Sequence, residues 1–337
     1  MDQEKGITNN KDVTESVSDV ANIGVFLPES SNDKTTENNK ETTNGWSSLG
    51  VNLNEKESTE WDAIGVDEEI KNFRKYIKIM GHSEIGPLHV WKAIPCQDAF
   101  ASAVSQTGHG VIMVSDGLGS ARKSEIGSRV AVEAGVNTLL KMPTEKLIET
   151  DLSRLAGDSV TAARQALEEK AKALNCPLRE LACTFIAIVM YDNNIAVAHI
   201  GDGAVVANTE EGLKLISGPG DSEYANEVTP LTSKSWEQAL RLSPIISRIL
   251  SVMAFTDGLQ RAALKKSAEG YSPFNGFCEP LFSFASEVSD IGEAEVEIAQ
   301  LLSSKKLSDN SEDDKTLVIA VLGNESRSDS GWAEVVA

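Results

Sequence analysis

Three of the most apolar segments of this chain run directly into the dipeptide Asp-Gly. They are VIMVSDGLGS (111–120), AVAHIGDGAVV (196–206) and SVMAFTDGLQ (251–260). Two more apolar segments follow aspartate: Asp98 stands before AFASAV (99–104), and Asp313-Asp314 stands before KTLVIAVL (315–322). A single Asp-Gly is usually a simple turn after a strand. Five such sites, each joined to a short apolar segment, predict that several carboxylates lie together at the ends of buried strands.

Several carboxylates in a small volume need cations, because like charges repel and disfavour ionisation. Mg²⁺ and Mn²⁺ suit such a site, since both prefer oxygen ligands and keep bound water. A glycine after the aspartate lets the backbone come close to an ion, because glycine has no Cβ. Two ions that share a carboxylate would lower the pKa of a water molecule between them, so that it could attack a phosphate. This chemistry needs no cysteine or serine nucleophile.

The apolar pattern predicts alternating strand-like and helix-like segments from about residue 78 onward. Predicted strands are 110–115, 183–190, 194–201, 249–255 and 316–322. Predicted helices are 124–141, 158–174 with Asp158 as its cap, 273–286 and 291–305. The strands 183–190 and 194–201 are joined by Asp192-Asn193, which is typical of an antiparallel hairpin. Strands beside strands, with helices between them, favour an α+β layered fold over a parallel doubly wound sheet.

The N-terminal part of the chain has a different composition. Residues 1–70 contain five Lys and sixteen Asp or Glu, a net charge of −11. Such a segment buries too little apolar surface to offset chain entropy, so we expect residues 1–75 to be a disordered acidic tail. Residues 326–337 are expected to form a C-terminal tail.

Three pieces of the acidic tail share an apolar-Gly-Val core: ANIGVF (21–26), WSSLGV (46–51) and WDAIGV (61–66). They are either chance similarities or motifs that dock on a partner or on the catalytic domain.

Charge and cysteine usage narrow the functional classes. The net charge of −20 argues against nucleic-acid binding, because phosphate backbones attract basic surfaces. The cysteines have no zinc-ligand spacing and suit a reducing compartment; they are Cys96, Cys176, Cys183 and Cys278. No stretch approaches 18 consecutive apolar residues, and the first ten residues show neither a basic nor an apolar leader region. We therefore expect a cytoplasmic protein with no membrane and no nucleic-acid partner.

The order of the aspartate motifs resembles one family. The phrases QD, VSDG, GDG between two strands, AFTDG and DDKTLVIAV occur in the order seen in metal-dependent protein phosphatases of type 2C. AIPCQDAF (93–100) and SEYANEV (222–228) are similar to phrases of its bacterial branch. The resemblance covers roughly residues 80–323 and implies a catalytic domain at 76–325. It also implies a four-layer αββα sandwich, with two antiparallel sheets flanked by helices. The implied activity is hydrolysis of phosphoserine and phosphothreonine in a phosphorylated protein substrate.

The resemblance also implies which residues bind metal. Asp116 would bridge two Mn²⁺ or Mg²⁺ ions, and the carbonyl of Gly117 would bind one of them. Asp257 and Asp313 would complete the second metal site.

Two further aspartates receive roles in the same way. Asp98 would bind metal or orient the reacting water. Asp202 would hold a weaker third ion together with Asp257.

The chain departs from the family pattern at three positions. Gln97 stands where many members have Glu, Leu118 where eukaryotic members have His, and Ala93 where they have a phosphate-binding Arg. The general acid and the phosphate clamp therefore have no assigned residue. Candidates for phosphate binding are Lys92, His89, Arg122 and Lys123. In the family, residues 207–245 would form a flap beside the active site, where loops on a rigid scaffold influence substrate choice.

Two alternatives to a protein phosphatase are considered. One is a catalytically silent domain that binds phosphorylated partners, although such a domain would not need a cluster of charged carboxylates. The other is a metallohydrolase that uses the same residues on a small phosphoester. An assay on a phosphopeptide with and without Mn²⁺ separates all three.

Overall fold

The computed structural model describes residues 74–219 and 228–325. Its strands are β1 (Arg74–Glu84), β2 (Ala99–Val104), β3 (Gly110–Ser115), β4 (Phe185–Tyr191), β5 (Asn194–Ile200), β6 (Ala204–Thr209), β7 (Gly212–Ser217), β8 (Arg241–Leu242), β9 (Ile249–Phe255), β10 (Leu264–Ser267), β11 (Gly270–Pro273) and β12 (Lys315–Glu325). Its helices are α1 (Pro87–Lys92), α2 (Ser124–Leu140), α3 (Thr144–Glu149), α4 (Leu152–Ala173), α5 (Trp236–Ala239), α6 (Gln260–Ala263), α7 (Asn275–Glu287), α8 (Ile291–Leu302) and α9 (Lys305–Ser308).

The strands form two five-stranded antiparallel sheets and a separate hairpin, β10–β11. We call the sheet with spatial order β1-β12-β9-β6-β7 the first sheet, and the sheet with order β2-β3-β4-β5-β8 the second sheet. Neighbouring strands are antiparallel throughout both sheets. The predicted hairpin is confirmed: β4 pairs with β5, and Tyr191 lies opposite Asn194 across the turn.

The two sheets pack face to face and are covered by helices on their outer faces. Along β3, Ile112 and Val114 belong to the apolar core between the sheets, whereas Val111 and Met113 pack in the core under α2 and α4. This alternation follows from the two-residue period of a strand. Both sides of the second sheet are therefore buried, which explains why its central strands are apolar at nearly every position.

The outer face of the first sheet is covered in the same way. Met253 and Phe255 of β9 share a core cluster with Phe282 of α7 and Ile298 of α8. The order of layers is thus helices, second sheet, first sheet, helices. The predicted α+β fold with an αββα sandwich is confirmed.

The predicted start of one long helix was wrong. Helix α4 begins at Leu152, and Asp151 caps it by accepting hydrogen bonds from the backbone N of Ser153 (2.9 Å) and of Arg154 (3.3 Å). The apolar stripe also starts earlier than 158, because Leu155 is fully buried in the core under the helix layer. Asp158 therefore lies one and a half turns inside α4 and not at its cap.

Some predictions fall on residues outside the described parts of the chain. These are most of the acidic tail, its three apolar-Gly-Val pieces, and the C-terminal tail 326–337. The domain boundaries, including 76–325 for the catalytic domain, stay predictions. Within residues 74–219 and 228–325, no helix has the length and apolar character needed to cross a bilayer.

Candidate metal centre

The fold brings aspartates from both sheets to one edge of the sandwich. Asp116 directly follows β3 of the second sheet, and Asp257 follows β9 of the first sheet by two residues. Asp202 lies in the turn between β5 and β6, where the chain passes from the second sheet to the first. One carboxylate oxygen from each of these three residues lies within 4.8 Å of the others. Three oxygen donors at this spacing can surround a single hard cation.

Asp98 is held beside this group by two threonine hydroxyls. Its side chain is buried, and its Oδ2 accepts hydrogen bonds from Thr256 Oγ1 and Thr316 Oγ1, both at 2.8 Å. Thr256 precedes Asp257, and Thr316 is the second residue of β12, so both hydroxyls come from the first sheet. Asp98 itself precedes β2 of the second sheet. The hydrogen bonds therefore fix this carboxylate across the gap between the sheets.

Burial makes this group of carboxylates difficult to ionise. Desolvation raises the pKa of Asp116 well above its usual range, and the charge of Asp98 adds to the effect. The pKa of Asp98 is raised well above its usual range by desolvation and by Asp314. Desolvation and Asp202 raise the pKa of Asp257 to about 7, and desolvation also raises the pKa of Asp202.

The donor set fits a divalent cation. It consists of oxygen atoms, it carries excess negative charge, and its anionic form is disfavoured by burial unless a positive charge compensates. Mn²⁺ and Mg²⁺ both match such carboxylate donors, and neither is distinguished by the geometry of the protein groups alone.

Asp313 belongs to a second acidic group, together with Asp314 and His89. Asp314 Oδ1 accepts a hydrogen bond from Gly86 N (2.7 Å), and its Oδ2 accepts one from Gln97 N (2.6 Å). His89 Nδ1 lies 2.8 Å from the same Oδ2. Both oxygens of Asp314 are thus occupied by protein donors, whereas Asp313 is exposed and only its Oδ1 accepts a hydrogen bond, from Asp314 N at 2.9 Å. Through these hydrogen bonds Asp314 supports the backbone next to Asp98.

Lys315 is a buried cation that the sequence analysis did not identify. Its side chain is almost fully buried, and its Nζ donates a hydrogen bond to the backbone carbonyl of Asp313 at 2.8 Å. Desolvation lowers the pKa of Lys315, while the charges of Asp313 and Asp314 act in the opposite direction. The ammonium group offsets part of the negative charge on this side of the site. Its position in the sequence, directly after Asp313-Asp314, could have indicated that it lies beside the acidic group.

The glycines after two of the aspartates serve the packing of backbones. A Cβ on Gly117 would lie 2.7 Å from the carbonyl oxygen of Gln97, and a Cβ on Gly258 would collide with the carbonyl oxygen of Asp314. Gly117 N also donates a hydrogen bond to Gln97 O at 3.1 Å. The sequence analysis explained these glycines by approach to an ion. The structure adds a second reason, which is that neighbouring loops pass directly over them.

The predicted phosphate-binding residues do not lie together. Lys92, at the end of α1, and Arg122, just before α2, are exposed, whereas His89 is buried against Asp314. Lys123 is partly buried immediately before α2. The roles proposed for these residues from the sequence stay predictions, and the burial of His89 favours a positioning role.

Arg241 is a further cation that the sequence analysis missed. Its Nη2 donates a hydrogen bond to the carbonyl of Gly201 at 2.6 Å and lies 3.0 Å from His199 Nδ1. The charge of Arg241 opposes the upward shift in the pKa of Asp202. Arg241 comes from β8, within the region 207–245 that was expected to lie beside the site. Its signal in the sequence was weak, because the strand that contains it is only two residues long.

Two comparisons of the sequence with known proteins identify the same kind of relative. A sequence model of the family described as protein phosphatase 2C matches residues 85–303. Serine/threonine-protein phosphatase 3 of Escherichia coli (strain K12) is 32% identical over 246 residues, which are 71% of this chain and 96% of that protein.

Solved structures share the architecture. A bacterial serine phosphatase superposes with a TM-score of 0.53 at 13% identity, over 74% of this chain and 99% of that one. The catalytic domain of the serine/threonine protein phosphatase PstP, in complex with two manganese ions, gives a TM-score of 0.51 at 16% identity, over 74% of this chain and 99% of that one. At these identities the likeness shows a shared fold.

Proposed function

Because this chain belongs to the protein phosphatase 2C family, we propose that it removes phosphate from phosphoserine and phosphothreonine in proteins by means of two divalent cations, Mn²⁺ or Mg²⁺. The observation that carries this proposal is the convergence of Asp116, Asp202 and Asp257 at one edge of the sandwich. These residues come from separate strands, so their proximity is a property of the fold and not of local sequence. A silent binding domain would gain nothing from holding several ions of like charge in one place.

The proposed cation ligands are Asp116, Gly117 through its carbonyl, Asp202, Asp257 and Asp313, with Asp98 beside them. Cations bound there would lower the pKa of a water molecule and polarise the phosphoryl group. Asp116 groups with Asp202 and Asp257 although it follows a strand of the sheet opposite to that of Asp257, which supports a bridging role for Asp116. Asp202 is proposed to complete a weaker site with Asp257, because one carboxylate oxygen of each lies within 4.8 Å of the other.

Asp98 is proposed to orient the attacking water. The hydroxyls of Thr256 and Thr316 occupy its Oδ2, so its rotamer is fixed and Oδ1 remains as the oxygen for a further partner. With Oδ2 held by two hydroxyl groups, Oδ1 of Asp98 is suited to bind a cation or to orient a water molecule that a cation holds.

The proposal is tested by measuring hydrolysis of p-nitrophenyl phosphate and of a phosphothreonine peptide. We expect turnover of both with Mn²⁺ or Mg²⁺, loss of turnover in EDTA, and recovery when the cation is added back. Asp116→Asn should abolish turnover, and Asp309→Asn, an exposed aspartate paired with Lys305, serves as the matched control. Hydrolysis that is equally fast in EDTA would refute the role of the cations. Hydrolysis of the aryl phosphate alone would favour a small phosphoester as substrate, and binding of the peptide without turnover would favour the silent domain.

A further inference from the structure

A cavity opens close to the proposed metal centre. It has a volume of about 540 Å³, and its walls are formed by residues within 118–122, 179–182 and 230–233. The first wall starts at Leu118, two residues after Asp116. Because consecutive Cα atoms are about 3.8 Å apart, Leu118 is at most about 8 Å from the proposed bridging aspartate. The wall of the cavity therefore begins close to the site where the phosphorylated residue would be bound.

Two arginines, Arg122 and Arg179, line this cavity. Arg122 and Arg179 are exposed, and their guanidinium groups make no ion pair with any residue in the described parts of the chain. Other arginines are engaged: Arg154, Arg164 and Arg248 pair with carboxylates, and Arg241 and Arg261 bond to backbone carbonyls. Among arginines whose side chains are described, Arg129 is the remaining one without a partner. Two guanidinium groups that have no ion pair within residues 74–219 and 228–325 therefore line one cavity, in a chain whose net charge is −20.

The remaining lining is polar and compatible with an anion. Ser120, Thr232 and Ser233 also line it, and Glu180 is the single acidic residue among the lining side chains. Guanidinium groups bind carboxylate and phosphate oxygens through paired N–H donors, and hydroxyl groups add further donors. Two positive charges against one negative charge leave the cavity positive. It would attract the anionic part of a substrate that the rest of the surface repels.

The walls are fixed before any ligand arrives. Leu118 N donates to Ala182 O at 2.9 Å, which ties the first wall to the second. The third wall is held by Arg164 of α4, whose Nη1 donates to Leu231 O (2.7 Å) and Ser233 O (2.9 Å). A preformed cavity loses little conformational entropy on binding, so even a few ionic contacts can change affinity.

We propose that this cavity binds a second anionic group of the substrate, two or three residues away from the phosphorylated residue. An extended peptide advances about 3.3–3.6 Å per residue, so two or three residues cover the distance from the metal centre to the far side of Leu118. The group is an acidic side chain or a second phosphate, which share the same oxygen chemistry. This assignment rests on the proposed phosphatase activity and adds a substrate preference to it.

The test compares three phosphothreonine peptides of equal length with the full-length protein in Mn²⁺. The first peptide has neutral residues on both sides of the phosphothreonine. The second has glutamates two and three residues from the phosphothreonine. The third has a residue with a non-hydrolysable phosphonate side chain in place of those glutamates. We expect kcat/KM to be about fivefold higher for the anionic peptides than for the neutral one, as for an exposed ion pair. Arg122→Gln and Arg179→Gln should each lower this ratio, and the double variant should bring it close to one. Arg129→Gln is the matched control, because Arg129 is also exposed and unpaired but does not line the cavity.

Each outcome is decisive for one of the two proposals. A wild-type ratio of one, with good turnover of the neutral peptide, overturns the anion site and leaves the phosphatase proposal intact. An equal loss of the ratio in Arg129→Gln shows a general charge effect and also overturns the anion site. No turnover of any peptide refutes the proposed function itself. A preference for the phosphonate peptide alone supports the site and identifies a second phosphate as its ligand, whereas a preference for both identifies acidic sequences in general.

Discussion

Replacing Asp257 with asparagine should stabilise the metal-free protein while removing its activity. Asp257 is ionised at pH 8 at a cost, because burial and Asp202 raise its pKa from an ordinary 3.8 to about 7. A difference of this size corresponds to about 4 kcal/mol between the folded and unfolded states. The asparagine amide must still be buried with fewer hydrogen-bond partners, and this cost offsets part of the gain in stability. We expect Asp257→Asn to raise the free energy of unfolding by about 1–3 kcal/mol at pH 8 in EDTA.

The pH dependence of this gain has a defined sign. A carboxyl group with a raised folded-state pKa does not destabilise the fold below pH 3.8, where both states are protonated. As pH rises from 3.8 to about 7, the unfolded state ionises first, so wild-type stability falls. The advantage of Asp257→Asn over wild type should therefore grow by at most about 1.4 kcal/mol per pH unit in this range and stay constant above it.

Urea unfolding in EDTA at several pH values between 5 and 8.5 measures this advantage. Asp309→Asn is the control: its carboxylate is exposed and bonded to Lys305, so its removal should give no gain and no trend with pH in this range. If Asp257→Asn is no more stable than wild type at any pH, the carboxylates do not destabilise the metal-free fold, and the electrostatic argument for a cation site fails.

Two further changes test the supports of the site. His89→Ala should lower the free energy of unfolding by about 1–3 kcal/mol, because it leaves the buried Asp314 carboxylate short of one hydrogen bond. Urea unfolding measures this change, with His82→Ala as the control. An unchanged unfolding midpoint would contradict the supporting role of Asp314. Gly258→Ala should destabilise by about 2–4 kcal/mol, because its Cβ collides with the Asp314 backbone. Gly157→Ala, in an open part of α4, should instead be neutral or stabilising by up to about 1 kcal/mol, and equal effects of the two alanines would refute the steric argument.

Local sequence patterns were sufficient to predict five of the twelve strands and the α+β layered class. The hairpin at Asp192-Asn193 is an example, because both residues adopt positive φ (52° and 58°) as a tight hairpin turn requires. Strand β9 (Ile249–Phe255) coincides with its predicted segment, since seven apolar or small residues are bounded by polar ones. Such elements need no knowledge of their neighbours.

Contacts between distant parts of the chain could not be predicted in this way. Gln97 N bonds to Asp314 across 217 residues, and Asp98 Oδ2 accepts from Thr316 across 218. The family resemblance gave Asp98 a role at the metal site, but the sequence did not indicate that Asp314 is held by Gly86 N, Gln97 N and His89. Strand β1, which contains His82, was not among the predicted strands, and it is held by pairing along its length with β12.

The mounting of the aspartates on opposite sheets has an evolutionary consequence. Asp116 follows a strand of the second sheet and Asp257 a strand of the first, so the core between the sheets is a spacer that helps to set their separation. Ile112 of one sheet and Val252 of the other belong to this spacer. We expect exchange of valine for isoleucine in the spacer to alter the separation of the two carboxylates. Every carboxylate would stay unchanged, so an alignment of the aspartates alone would miss such a change.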